Sequence, residues 1–178
     1  MLVVLSCLAI AFSFHVLFLT LYRAFNKNDD AADAAVGMVH AVITVLISMY
    51  SITVFDPLHS PESYDYYTQP YPHSSIAFRV SLGYFVWHTL QFVFPRGAQY
   101  NLDMLIHSAL CVCTYAIVVF TEWMHRPAMI ALFFEFSTLW LHSVDILRHF
   151  KADTLRAHFK FVLLLGTISL RNSAFEKY

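Results

Sequence analysis

The chain has 178 residues, of which 58% are hydrophobic, 17% aromatic and only 13% charged, about half the charged share of a soluble globular domain. That balance excludes a disordered chain, which is polar and poor in aromatics, and a water-soluble domain, which needs a charged surface. Eleven Lys and Arg against twelve Asp and Glu leave a net charge of −1, so nucleic acid is excluded as an electrostatic partner. The remaining solvent is lipid.

The first apolar run, Leu2–Tyr22, is followed by Arg23 and Lys27 rather than preceded by a basic segment. It therefore reads as a retained membrane helix and not a cleaved signal. A second span, Ala34–Phe55, stops at Asp56-Pro57, where a helix cannot comfortably continue. Residues 56–75 hold four prolines and four tyrosines without Lys or Arg, which suits a loop at the membrane–water interface. Ile76–Phe94 is the third span, stopped by Pro95 and Gly97, and Leu102–Phe120 the fourth. Ala128–Leu147 is the fifth, with Pro127 at its start. A last run, Ala157–Phe175, includes Lys160 and Arg171, so it spans only by snorkelling or by burying Arg171 in protein.

The expected fold is an all-α, multipass transmembrane bundle of about six spans. Residues 1–33 form the first helix and a cytosolic linker, and 34–178 the remaining bundle. Arg23, Lys27, Arg96, Arg148, Lys151, Arg156 and Lys160 flank loops one, three and five, against Arg126 and Lys177 opposite. The positive-inside rule then puts those loops in the cytosol and the N-terminus on the lumenal side.

Cys7, Cys111 and Cys113 lie in apolar runs and give no disulfide framework. Cys111 and Cys113, about 200° apart on a helix, cannot share a metal. No H-x-x-H or H-E-x-x-H pair occurs, and no metal is expected.

Spans two to five each carry a polar stripe at helical spacing. They are His40, Thr44, Ser48 and Ser51; Ser81, Tyr84, His88 and Gln91; Asp103, His107, Cys111 and Tyr115; and Glu135, Thr138, His142, Asp145 and His149. A charge at mid-bilayer costs ~2.5–3.5 kcal/mol, so these faces should turn inward. Ser and Thr serve as interhelical glue. Imidazoles beside a carboxylate are also acid–base equipment. On this reading His88, His107, Glu135 and His142 border one interior, with Asp103 orienting the His107 ring and His40 nearby. His15 is a packing residue. His59, His73 and His125 are solvated loop residues, while His149 and His158 join a basic interfacial collar.

From Val36 to Arg171 the chain resembles the TLC-domain membrane proteins, the superfamily of the ceramide synthases and their smaller non-synthase relatives. The resemblance rests on the His40 span leading to Tyr50 and Phe55-Asp56-Pro57, on Ser81-Leu82-Gly83-Tyr84-Phe85, and on Met104-Leu105-Ile106-His107. Glu135-Phe136-Ser137-Thr138 and Arg171 complete it. The family usually has two adjacent histidines where this chain has His107-Ser108, an aspartate in place of His88, and one more helix after the sixth. The resemblance implies a role in membrane-lipid homeostasis (composition, sensing or transport), in the endoplasmic reticulum, with membrane lipids as partners and no cofactor. Arg171 with His40, His88, Glu135 and His142 would form a lipid-binding or buried polar site. An alternative is a sphingoid-base N-acyltransferase with acyl-CoA as co-substrate and His107 as general base. A second alternative is a membrane cargo receptor or structural partner. The missing helix makes the chain read as C-terminally incomplete.

Overall fold

The computed structural model describes residues 2–51, 73–93 and 102–150, and among these the only regular structure is helix. Six helices follow in order: α1 (Leu2–Ala24), α2 (Asp29–Tyr50), α3 (Ser74–Val93), α4 (Leu102–Thr121), α5 (His125–Phe133) and α6 (Phe136–His149). Among the described residues, four stretches are long and apolar enough to cross a bilayer: α1, α2, α4, and α5 with α6 taken as one run. About six spans were expected for the whole chain, and the described residues hold four candidates. The third expected span exists as α3, but its Ser, His, Gln and Arg residues make it less apolar than the others. Ala157–Phe175 lies outside the described residues.

In α1, Cys7, Ala11, Phe14 and Phe18 form one buried stripe, while Leu5, Leu8, Phe12, Val16 and Leu19 form an exposed apolar skin. Its hydroxyls are hidden locally: Ser6, Ser13 and Thr20 donate to the carbonyls of Val3, Ala9 and Val16 at 2.7, 2.8 and 2.9 Å. Such back-bonding lets a hydroxyl sit on an apolar surface without an orphaned donor. The helix ends in a turn with Asn26 and Lys27 in the left-handed region.

Helix α2 begins at Asp29, five residues before the expected start at Ala34. Asn28 caps it, its side chain accepting from the Ala31 amide at 2.9 Å, and Asp29 and Asp30 sit in the first turn, where the helix dipole favours negative charge. Asp33 therefore belongs to a membrane-length helix and not to a linker. Small residues Ala31, Ala34, Gly37 and Ala41 are buried along α2, which permits close helix approach.

Helix α3 is the hub. Phe78, Ser81, Leu82, Tyr84, Phe85, Trp87, His88 and Gln91 are all buried, and it packs against α1, α2 and α4. Covered on most sides, it needs less of an apolar skin, which is why its hydropathy falls below that of its neighbours. Gly83 allows the closest approach: a methyl there would meet Ile10 of α1 at 2.6 Å. Side-chain pairs fix the directions. Asp33 meets His88 and His40 meets Ser81, so α2 and α3 are antiparallel. His88 meets Ser108 and Phe78 meets Tyr115, so α3 and α4 are antiparallel too. Phe25 meets His149 and Gly37 meets His142, which sets α6 antiparallel to α2.

The expected fifth span is one run broken at Phe134–Glu135. There the amides of Phe134 and Glu135 bond to Ala131 and Leu132, and those of Ser137 and Thr138 to Phe134 and Glu135. This i→i−3 pattern tightens the turn. Ser137 Oγ also donates to the Phe134 carbonyl at 2.9 Å, doubling the bond that the Ser137 amide makes to it. The break falls just before the stripe, so Thr138, His142, Asp145 and His149 all ride on α6, with Glu135 at its N-cap.

Candidate polar site inside the bundle

Three helices bring Asp33 (α2), His88 (α3) and Ser108 (α4) together. His88 Nδ1 lies 2.7 Å from Ser108 Oγ, and His88 Nε2 lies 3.6 Å from Asp33 Oδ2. His88 is 2% exposed and Ser108 is fully buried. With the ring proton on Nε2, facing the carboxylate, Nδ1 accepts from the Ser108 hydroxyl. That arrangement polarises a hydroxyl toward an imidazole held by a carboxylate.

The Tyr84 ring stacks on His88 at 5.5 Å and on His40 at 4.0 Å, within 8° of parallel to the latter. His40 Nε2 in turn contacts Ser81 Oγ at 3.2 Å, while its Nδ1 is buried with no hydrogen-bond partner among the described residues. His142 of α6 lies over Gly37, so closely that a methyl on Gly37 would land on its ring. Asp33 and His88 both act electrostatically on His142. The result is a polar column through the bundle: Asp33, His142, His88 and Ser108, then Tyr84, then His40 and Ser81.

The column starts near one end of the bundle. At about 1.5 Å per residue, Asp33 lies about 6 Å from the start of α2 and His88 about 8 Å from the end of α3. Ser108 lies about 9 Å from the start of α4 and His142 about 10 Å from the end of α6. Arg23 and Arg148 occupy the last turns of α1 and α6 at that same end.

Of the residues expected to share an interior, His88, His142 and His40 are brought together. His107 and Asp103 are exposed. His107 contacts Cys111 Sγ at 3.7 Å through Nε2 and lies edge-on to Phe85 at 5.9 Å, in place of the expected orientation by Asp103. The stripe predicted on α4 fails at Asp103 and His107 and holds at Tyr115, because the buried face runs through Ser108, Tyr115 and Val118. Glu135 sits half-buried at the α5–α6 break with a side-chain hydrogen bond to Thr138, and its charge reaches His107, Tyr84 and Tyr115. Arg171 lies outside the described residues, as do His59 and His158.

Asp33 and Ser108 were missed. The cap at Asn28 with two acids behind it was the available signal for Asp33. His125 is corrected outright: it is 2% exposed, bonded through Nδ1 to Ser74 Oγ at 2.9 Å and edge-on to Phe78. It closes α5 onto α3 instead of meeting solvent. His15 packs as expected, its Nδ1 3.1 Å from Gln91 Nε2, and His73 is exposed. His149 stands edge-on to Phe25 and Phe150. Among the described residues no three His, Cys, Asp or Glu side chains converge as metal ligands.

Among the described residues, fold and site together define an all-helical bundle with four membrane-length apolar stretches and a polar column inside, features compatible with an integral membrane protein. No protein-family model matches the chain, and neither a curated protein nor a solved structure is similar to it.

Proposed function

We propose that this chain is a multipass membrane protein of the TLC type that acts in membrane-lipid homeostasis, by sensing, carrying or redistributing lipid. The observation that carries the reading is the buried Asp33–His88–Ser108 group with His142, one to two turns inside the end of the bundle that bears Arg23 and Arg148. Ionisable residues inside a membrane bundle are costly and mark functional sites. Helices of 20–23 residues are about as long as the ~30 Å hydrocarbon layer is thick. The group therefore sits just below the polar boundary, where a lipid's headgroup gives way to its chains. In this reading α3 also crosses the membrane, the run at 157–175 adds a sixth span, the basic loops are cytosolic and the N-terminus is lumenal. The endoplasmic reticulum is the proposed membrane.

A second reading, N-acyl transfer from acyl-CoA to a sphingoid base, is favoured by the same triad. The base is then His88 and not His107, since His88 has a carboxylate behind it. The amine would attack the thioester carbonyl, His88 would take its proton, and the CoA thiolate would leave and be protonated. Purified protein given acyl-CoA and sphinganine separates the two. The lipid-homeostasis reading predicts no ceramide; ceramide lost in His88→Gln and kept in His107→Ala would establish the second. Ceramide formation lost only in His107→Ala would contradict the assignment to His88.

A further inference from the structure

Among the described residues, three buried serines meet a histidine ring on another helix: Ser108 with His88 at 2.7 Å, Ser74 with His125 at 2.9 Å and Ser81 with His40 at 3.2 Å. Several other hydroxyls bond only within their own helix, as Thr44, Thr114 and Ser143 do. The three pairs differ at the far ring nitrogen. His40 Nδ1 and His125 Nε2 are buried with no hydrogen-bond partner among the described residues, whereas His88 Nε2 faces Asp33 Oδ2 at 3.6 Å. A ring that takes a serine proton becomes a cation, and burying an isolated cation is costly. Of the three, only His88 has a carboxylate behind it to hold that charge and to fix the tautomer in which Nδ1 accepts. A separation of 3.6 Å is loose for a hydrogen bond, as such contacts often are before substrate binds.

Ser108 lies about 9 Å from the start of α4, near the depth at which the acyl esters of a lipid meet its chains. Its side chain is covered, but the buried strip of α4 is one residue wide there, with His107 and Ala109 both exposed. The outer surface of the bundle is one residue away on either hand. We propose that Ser108 is an acyl-accepting nucleophile, with His88 as its general base and Asp33 positioning His88, and that its substrate is the carboxylic ester of a membrane lipid. The substrate class rests on the membrane-lipid reading above; the nucleophile rests on the geometry.

In the first half of the reaction, Ser108 Oγ bonds to the carbonyl carbon of the ester as its proton passes to His88 Nδ1. The bond to the alcohol oxygen breaks, the alcohol leaves with that proton, and the acyl group stays on Ser108. Water then attacks the acyl carbon and gives a proton to His88 Nδ1. The bond to Ser108 breaks, Oγ regains the proton, and the fatty acid departs. Asp33 stays ionised throughout, facing Nε2–H. The sum is ester plus water to acid plus alcohol, with no change of oxidation state.

The test uses the full chain in nanodiscs of ether-linked phosphatidylcholine, which holds no carboxylic ester. A fluorophosphonate probe should modify Ser108 and neither Ser74 nor Ser81, as peptide mass spectrometry reads on the wild type without any variant. Protein denatured beforehand should take no label. Asp33→Asn should slow labelling at least about tenfold, and Asp33→Glu should restore most of the rate. With dioleoylglycerol as donor, the wild type should release oleate at least about tenfold faster than Ser108→Ala, while Ser74→Ala matches the wild type. No adduct at Ser108, equal labelling of the three serines, or an undiminished rate in Asp33→Asn would overturn the nucleophile. A Ser108 adduct without oleate release, or acylation by oleoyl-CoA and not by dioleoylglycerol, would overturn the ester assignment. Labelling does not depend on cellular lipid composition, so the nucleophile and the lipid reading fail separately.

Discussion

Ser108 shows how narrow the margin is between a surface and a site in a helical bundle. It differs from its neighbour His107 by about 100° of helix rotation, yet Ser108 is fully buried and His107 is exposed. A histidine attracts attention in a sequence and a serine does not, so periodicity alone favoured the wrong residue. Removing the Ser108 hydroxyl strands a buried imidazole nitrogen, which costs ~1–3 kcal/mol. Ser108→Ala should accordingly lower unfolding stability in mild detergent by that amount, while His107→Ala changes it little; the reverse order would show that the column is misplaced. Gly37 gives a second prediction at this scale. A methyl there strikes the His142 ring, and overpacking of this kind costs ~1–3 kcal/mol. Gly37→Ala should destabilise, and adding His142→Ala should recover most of the loss, as a double-mutant cycle would measure.

At the scale of elements, α1 and α4 were legible almost to the residue, because an unbroken apolar run of membrane length has few alternative readings. The start of α2 was not, since hydropathy counts Asp29, Asp30 and Asp33 against a span, whereas capping and burial against α3 accommodate them. The α5–α6 break was hidden for a different reason. No Pro or Gly marks Phe134–Glu135, and the ladder is interrupted only by a tightened turn of i→i−3 bonds. Helix α3 illustrates the converse: its composition looks less membranous because it lies at the centre. Single cysteines placed in a variant lacking Cys7, Cys111 and Cys113 test this. A cysteine at Leu82, 4% exposed, should resist a membrane-impermeant maleimide until the protein is denatured. A cysteine at the exposed His73 should react from one side only. Labelling of the Leu82 position in intact membranes would mean that α3 does not cross.

For the whole molecule, the alternating helix directions and the basic residues at one end argue for a single orientation. A glycosylation acceptor inserted within 59–73 should be modified in microsomes and one at 150–154 should not, as the positive-inside rule requires; the opposite pattern would invert the bundle and put the polar group under the lumenal leaflet. The bundle itself was readable from composition and run length. The meeting of Asp33, His88, Ser108 and His142 was not, because each stands on a different helix and only packing sets their phases. The account turns on that meeting point being used on lipids. The direct measurement is the membrane lipid profile of cells expressing the wild-type chain beside cells expressing Asp33→Asn/His88→Gln at matched abundance and membrane insertion. The account predicts a shift in lipid composition with the wild type that the double variant abolishes. An equal shift from both proteins, or none from the wild type, would contradict it.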